Sequence, residues 1–439
     1  VTPASSLEAV ARRSYGKLIA VLAARTQDVA GAEDALSEAF AAALVDWPRN
    51  GIPANPEGWL LTVARRKSID AHRKHRHEET SPWPILLPGA AALQPAAGAA
   101  EELLQIDPRL ALMFVCAHPA IEVGIRAPLM LQVVLGLDAK RIASAFLVAP
   151  AAMGKRLVRA KDKIRQAGIP FVVPERAELA GRLEAVLDAV YAAFGAGWNH
   201  AGETDAARRE LTGEALYLAR LLVELMPNEA EALGLLSLLL HAEARRAARR
   251  DERDEYLPFD QQDPARWNGT MIAEAESLLL RASAHGVLGR YQLEAALQSA
   301  HVERRRSGQA NWKAMLQIYD ALVALTGSPV VALNRALALA ELQGAEAALE
   351  ALPELPDYQP YWAVSAELLA RAGRSDEARR AYETAIELER DLAVRRFLER
   401  RLARLSSPAG PPRWATSLPG SRETSPRRRR SARPRVAHR

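Results

Sequence analysis

Apolar residues return every three or four positions through most of this chain, the spacing of helices with one buried stripe. Leu7, Val10, Leu18, Ile19, Val21 and Leu22 predict an opening hydrophobic helix. A second helix follows Asp28, with Leu36, Phe40 and Ala43 on one face and Asp34 and Glu38 opposite. Asn55-Pro56-Glu57 then reads as an N-cap, a first-turn proline and a dipole-matched acid. It opens a third helix whose buried stripe is Leu60, Val63, Ala64 and Ala71. The periodicity stops over 77–106, a stretch rich in Pro, Gly and Ala that predicts a linker.

It resumes over 107–170. Pro128 falls inside one apolar run there and predicts a kink or an end to that helix. A short helix after Leu137-Asp138, a turn at Val148-Ala149-Pro150 and a longer helix from Ala151 to Ala167 have helix-turn-helix spacing. On the longer helix Met153, Leu157, Ala160 and Ile164 share one face. Over 173–405 the pattern is helical throughout, with punctuation at Pro227-Asn228, Gly327-Ser328-Pro329 and Gly373-Arg374. The predicted fold class is all-α. From 406 to 439 a Pro/Ser/Arg-rich stretch has too little apolar content to fold and predicts a disordered tail.

Charge sharpens three of these elements. The helix after Asp28 carries Asp28, Glu33, Asp34 and Glu38 with no basic residue among them. The next carries Arg65, Arg66, Lys67, His72, Arg73, Lys74 and Arg76, with Asp70 the one acid between them. An acidic helix beside a basic one suits gripping a protein and a polyanion together. On the later helix Lys155, Arg156, Arg159 and Lys163 lie opposite the apolar stripe, as guanidinium and ammonium groups facing phosphates and base edges must.

Composition excludes more than it identifies. The chain has 439 residues, 49% hydrophobic and 25% charged, as in a soluble globular protein of about three domains. Its net charge of +5 is no sign of DNA binding, because nine arginines and one glutamate in 406–439 leave the remainder at −3. The single cysteine, Cys116, rules out an internal disulfide and argues against a thiolate zinc site, which fits a reducing cytoplasm. His72, His75 and His77 stand among Arg73, Lys74 and Arg76, which repel a metal cation. There is no apolar run long enough for a bilayer, no signal-peptide pattern, and no GxxxxGK[ST], HExxH or GxSxG motif. Neither an enzyme, a cofactor nor a metal is expected, and no membrane partner.

The strings AEDALSEAF and PEGWLLTVARRKSIDAHRK resemble region 2 of bacterial sigma factors of the extracytoplasmic-function class. IASAFLVAPAAMGKRLVRAKDKIRQAGIP is similar to region 4 of the same class, in the family's order and after a suitable linker. The match departs at Cys116-Ala117-His118-Pro119, where the subfamily usually has a second cysteine, and at Arg141, Ala152 and Gly154, the last also a poor helix former. YWAVSAELLARAGRSDEARRAYETAIEL, from Tyr361, resembles a tetratricopeptide (TPR) unit, with a weaker copy over Asn311–Leu352 and a degenerate one over Arg220–Ala242.

The resemblance implies an all-α chain with region 2 at 5–76, a linker at 77–106, region 4 at 107–170 and a TPR-like domain at 173–405. It implies that Asp28, Glu33, Asp34 and Glu38 dock on core RNA polymerase, with Trp59 anchoring the basic helix. Arg65, Arg66, Lys67, His72, Arg73 and Lys74 would hold the promoter −10 element, and Lys155, Arg156, Arg159 and Lys163 the −35 element. The fused helical domain is then the implied regulator, through a protein partner. On the residues alone a second reading stays open, a TPR-type interaction scaffold whose sigma-like domains are transcriptionally inactive.

Overall fold

A computed structural model of the chain describes residues 3–26, 28–78, 107–166, 174–199 and 205–405. Among them are eighteen α-helices and no strand. The expected linker, from residue 79 onward, and the expected tail lie outside the described residues.

The first three helices, α1 (Pro3–Thr26), α2 (Val29–Asn50) and α3 (Pro56–Glu78), form the N-terminal unit. Asp28 caps α2, its Oδ1 accepting from the Gly31 N–H at 3.0 Å. Gly51 ends α2 at φ 87, a conformation that costs glycine nothing, and donates its N–H to Trp47 O. Asn55 caps α3 by accepting from the Gly58 N–H at 2.9 Å. Glu57 does more than match the helix dipole, since it accepts from the Ser14 hydroxyl at 2.5 Å and ties α3 to α1. Leu18, Ile19, Leu36, Trp47 and Leu60 are fully buried between the helices, and Trp59 meets Trp47 edge to face at 5.7 Å.

The second unit is α4 (Pro108–Cys116), α5 (Val123–Val133), α6 (Ala139–Ala145) and α7 (Pro150–Gln166). Every residue of α4 from Leu110 to Cys116 is buried, the mark of a central helix. Pro128 does not end its helix: α5 runs from Val123 to Val133 with Pro128 buried inside it, so of the kink or end that the sequence predicts, the end does not occur. The following helix α8 (Arg176–Asn199) lies across α4, α5 and α6, burying Leu179, Leu183, Val186 and Val190. One continuous apolar core runs from Leu7 in α1 to Ala295, so the N-terminal unit, the second unit and the start of the C-terminal part pack as one body.

The remainder is a succession of helices packed on their neighbours: α9 (Asp205–Leu225), α10 (Ala230–Ala244), α11 (Gly269–Ser283), α12 (Arg290–Ser307), α13 (Trp312–Thr326), α14 (Pro329–Gln343), α15 (Ala345–Glu350), α16 (Gln359–Arg371), α17 (Ser375–Leu388) and α18 (Leu392–Leu405). In α16 and α17, Ala366, Ala378, Tyr382 and Ala385 are buried and Gly373 turns the chain at φ 78, the places the sequence pattern gave them.

The expectation of unbroken helices fails over 245–268. That segment has three short 3-10 turns and an antiparallel bridge between Arg250 and Tyr256. Pro258 and Pro264 deny it helical hydrogen bonds, and its arginines bind rings instead: Arg245 sits 4.8 Å over Phe259 and Arg249 4.2 Å over Trp198. The segment docks on the last helix. Arg250 Nη2 lies 2.7 Å from Asp391, Arg396 and Arg400 each reach Glu255 at 2.6 Å, and Tyr256 meets Phe397 edge to face.

Candidate functional site

The four acids of α2 have four different placements. Asp28 is held at the helix cap. Asp34 and Glu38 are exposed, and Glu38 pairs with Lys67 of α3 at 3.1 Å. That pair is open to water on both sides, so it contributes at most about 1 kcal/mol and leaves both groups available. Glu33 is turned inward: its carboxylate meets Lys161 Nζ at 2.6 Å, with the two side chains 16% and 22% exposed.

On α3, Arg65, Arg66 and Lys67 are exposed. His72, Arg73 and Lys74 lie on the same helix, but their side chains lie outside the described residues. Three exposed apolar residues border these charges and escaped the sequence reading. Leu44 and Val45 continue the exposed surface of α2 past Glu38, and Ile69 stands among the cations of α3. Their signal is phase: each falls off the buried stripe of its helix, at a place where a charged residue would be unremarkable.

The helix-turn-helix arrangement is present in α6 and α7. Asp138 caps α6 by accepting from the Arg141 N–H at 2.8 Å, and Leu147 turns the chain at φ 53. Met153 and Leu157 are buried and Ala160 and Ile164 half-buried, so α7 is seated on the stripe the sequence predicts. Lys155, Arg159 and Lys163 face solvent, with Val158 exposed beside them. Three cations with one apolar side chain can meet phosphates and a thymine methyl together.

Arg156 is only half exposed. Its Nη2 donates to the Gly124 carbonyl at 3.2 Å and lies 3.9 Å from the Glu122 carboxylate. Gly124 is four residues before Pro128, so its oxygen is the one that the proline cannot serve. Arg156, Arg159 and Lys163 also line a shallow groove whose floor is Ile121, Ile125, Ala160 and Ile164.

Glu33 and Lys161 join the two units directly. The Tyr15 hydroxyl also bonds Glu33; burial first, then the Glu33 charge, pushes its pKa well above the usual tyrosine value. Cys116 lies beside them, fully buried, its thiol pushed up to about 12 by desolvation. It is inert rather than reactive. His118 is half-buried, its Nδ1 accepting from the Ala120 N–H, and burial lowers its pKa. Among the described residues no group of three or more His, Cys, Asp or Glu side chains could hold a metal, and no helix is long and apolar enough to cross a membrane.

The second unit is fastened to the C-terminal part by buried charge. Arg182 of α8 donates to the Phe114 carbonyl at 3.2 Å. Arg109 bonds Asp107 and also Glu214 of α9, and the Tyr217 hydroxyl donates to Asp107 at 3.3 Å. Burial opposes ionisation of Asp107, but the bonds from Arg109 outweigh it and lower its pKa, whereas at Glu214 burial wins and raises it. The opposite directions fit the geometry: Asp107 also accepts the Arg109 backbone N–H and the Tyr217 hydroxyl, while Glu214 has the one guanidinium.

Residues 10–78 match sigma-70 region 2, which takes in α2, α3 and most of α1. Residues 182–283 match a family described as of unknown function (DUF6596), from Arg182 in α8 to the last residue of α11. The chain is 37% identical over 381 residues to the uncharacterized protein R00370 of Rhizobium meliloti, covering 86% of this chain and 90% of that one. It is 32% identical over 163 residues to a probable RNA polymerase sigma factor, RfaY, of Xanthomonas campestris pv. campestris, covering 35% of this chain and 40% of the other. No solved structure matches.

Proposed function

From the match of residues 10–78 to sigma-70 region 2, we propose that the chain is a member of the sigma-70 family and an alternative sigma factor of the extracytoplasmic-function class. In this reading it binds core RNA polymerase and directs initiation at its own set of promoters. The observation that carries the proposal is the pairing, within the region 2 match, of exposed Asp34 and Glu38 on α2 with exposed Arg65, Arg66 and Lys67 on α3. The acids, with Leu44 and Val45 beside them, suit a basic and apolar polymerase surface. The cations suit the DNA backbone as its strands separate, where phosphate contacts position and unstacked bases specify. Lys155, Arg159 and Lys163 on α7 supply a second DNA contact, to the −35 element.

The C-terminal helices are proposed as the regulator, with α16 and α17 as a TPR-like site for a protein partner. Supporting this, Arg182 and the Arg109–Glu214 pair fasten the second unit to that part of the chain. The test is to mix the purified chain with core polymerase and a template carrying its own upstream region. A transcript that needs the chain supports the proposal. Co-migration with polymerase without a transcript points instead to the interaction scaffold.

A further inference from the structure

On α18 the arginines outnumber the acids that answer them among the described residues. Arg396 and Arg400 share one acid, Glu255, each at 2.6 Å. Arg401 lies no nearer than 3.6 Å to Glu367 and sits 5.4 Å over the Phe397 ring. Arg404 is exposed and has no ion pair among the described residues. Arg400, Arg401 and Arg404 meet at a cavity of about 220 Å³ between α18 and residues 251–261. A guanidinium carries five N–H donors, so these contacts leave most of the three groups' donors unused.

Apolar groups line the same cavity and are held in place. Tyr256 meets Phe397 edge to face at 5.6 Å, and Leu257 extends the surface they make. The turn before Tyr256 is fixed by Asp251, whose Oδ1 accepts the N–H groups of Arg253 and Glu255, both at 2.9 Å. Asp254 takes φ 60 in that turn, a left-handed conformation that aspartate tolerates better than most residues. Asp251 and Glu255 also border the cavity, and they limit the negative charge it can accept. Glu255 is already answered by two arginines, so a single added charge fits, whereas a dianion meets repulsion from Asp251.

We propose that this cavity binds a small carboxylate with a flat apolar body. Arg401 and Arg404 grip the carboxylate, and the body lies against Tyr256, Leu257 and Phe397. The planar guanidinium fork matches a carboxylate in geometry, and the ring wall rewards burial of a flat body. Inorganic phosphate offers nothing to that wall and brings a second charge toward Asp251. Capture of the ligand needs neither polymerase nor DNA. Once bound, it bridges α18 to the segment that Glu255 already ties there, and gives the C-terminal helices a small-molecule input distinct from the protein partner proposed above.

The test is an NMR titration of the full chain with sodium benzoate, a flat monocarboxylate, with benzylammonium and inorganic phosphate as contrasting probes. Benzoate is expected to bind with a Kd of about 1 mM, in keeping with so small a ligand, and the other two more weakly. Arg401→Ala and Arg404→Ala should each weaken benzoate about tenfold, the size of one charged hydrogen bond. Arg379→Ala removes the same charge from an exposed site outside the cavity and should leave the affinity unchanged. Arg404→Ala should also keep the parent's melting temperature, so that its loss of binding is not a loss of fold. Absence of benzoate binding overturns the proposal, as does binding that both cavity variants leave intact or that benzylammonium matches. Phosphate binding tighter than benzoate, and lost in the same two variants, overturns it in favour of a phosphate site.

Discussion

Arg156 completes the hydrogen bonding that Pro128 leaves open. The proline ring has no N–H for the Gly124 carbonyl, and the Arg156 guanidinium supplies one from α7 at 3.2 Å. The glycine matters too, because a Cβ at position 124 would stand 3.1 Å from that nitrogen. Arg156→Ala is expected to lower stability by about 1 kcal/mol, measured by urea denaturation. In a Pro128→Ala background, where the helix regains its own donor, the same substitution should cost measurably less. Additive effects would show that the bond contributes nothing.

Among the described residues, Lys155, Arg159 and Lys163 make no such structural bond. Replacing each by alanine should weaken binding of the polymerase complex to promoter DNA and reduce the magnitude of the log–log salt slope by about one. Fluorescence anisotropy across a salt series reads both quantities. A full slope with any one of them missing would remove that residue from the DNA contact.

Ending the chain after Gly168 removes α8 and everything beyond it. That bares the apolar surfaces of α4, α5 and α6 that Leu183, Val186 and Val190 cover, and strips the Phe114 carbonyl of Arg182. The truncated protein is expected to be aggregation-prone, with rapid amide exchange in α4. A soluble, well-protected truncation would show that the second unit stands alone.

His241 and His301 are buried neutral, each with a pKa lowered to about 4, by desolvation first and then by Arg245 with Arg306 or Arg304. Glu276, 3.4 Å from His241 Nε2, pulls the other way, but its side chain is 43% exposed and burial of the ring wins. Below the ordinary histidine value of about 6.5 the unfolded chain takes up protons that the folded chain refuses. Stability contributed by each ring is therefore intact above that value and lost as pH falls toward 4, by up to about 3 kcal/mol each. Melting temperatures from pH 7 to pH 4.5 should fall steeply, and His241→Gln should flatten the fall.

Two glycines inside helices should answer to the same substitution with opposite signs. At Gly234 an added Cβ would lie 2.6 Å from the Gln292 backbone nitrogen, whereas at Gly213 nothing lies within 4 Å. Gly234→Ala should destabilise by roughly 1–3 kcal/mol through forced separation of α10 and α12. Gly213→Ala should stabilise by about 0.5–1 kcal/mol through helix propensity. Thermal melts of the two variants decide.

The sequence disclosed whatever depended on neighbours within a turn or two. Asp28 and Asn55 cap where their types say they should, and Met153 and Leu157 seat α7 as their spacing requires. The all-α fold followed from the same local periodicity. What stayed hidden depended on distant partners. Glu33 read as one acid among four, because the lysine that turns it inward is 128 residues away. Arg156 read as one cation on a basic face, because its acceptor is a carbonyl 32 residues earlier that only a proline leaves vacant. The break at 245–268 was hidden for the same reason, since the groups that hold it sit on α18 and on Trp198.

The docking of residues 250–257 on α18 changes how the C-terminal helices can come apart. A linear stack of helices unzips from its free end, losing one interface at a time. Here α18, the last helix among the described residues, is tethered through Asp391, Arg396 and Arg400 to a segment about 140 residues back, so fraying of α18 also tears the middle. A ligand that gripped α18 would consequently tug on Arg245, Arg249 and the rings they cover, giving α18 a mechanical handle on the helices nearest α8.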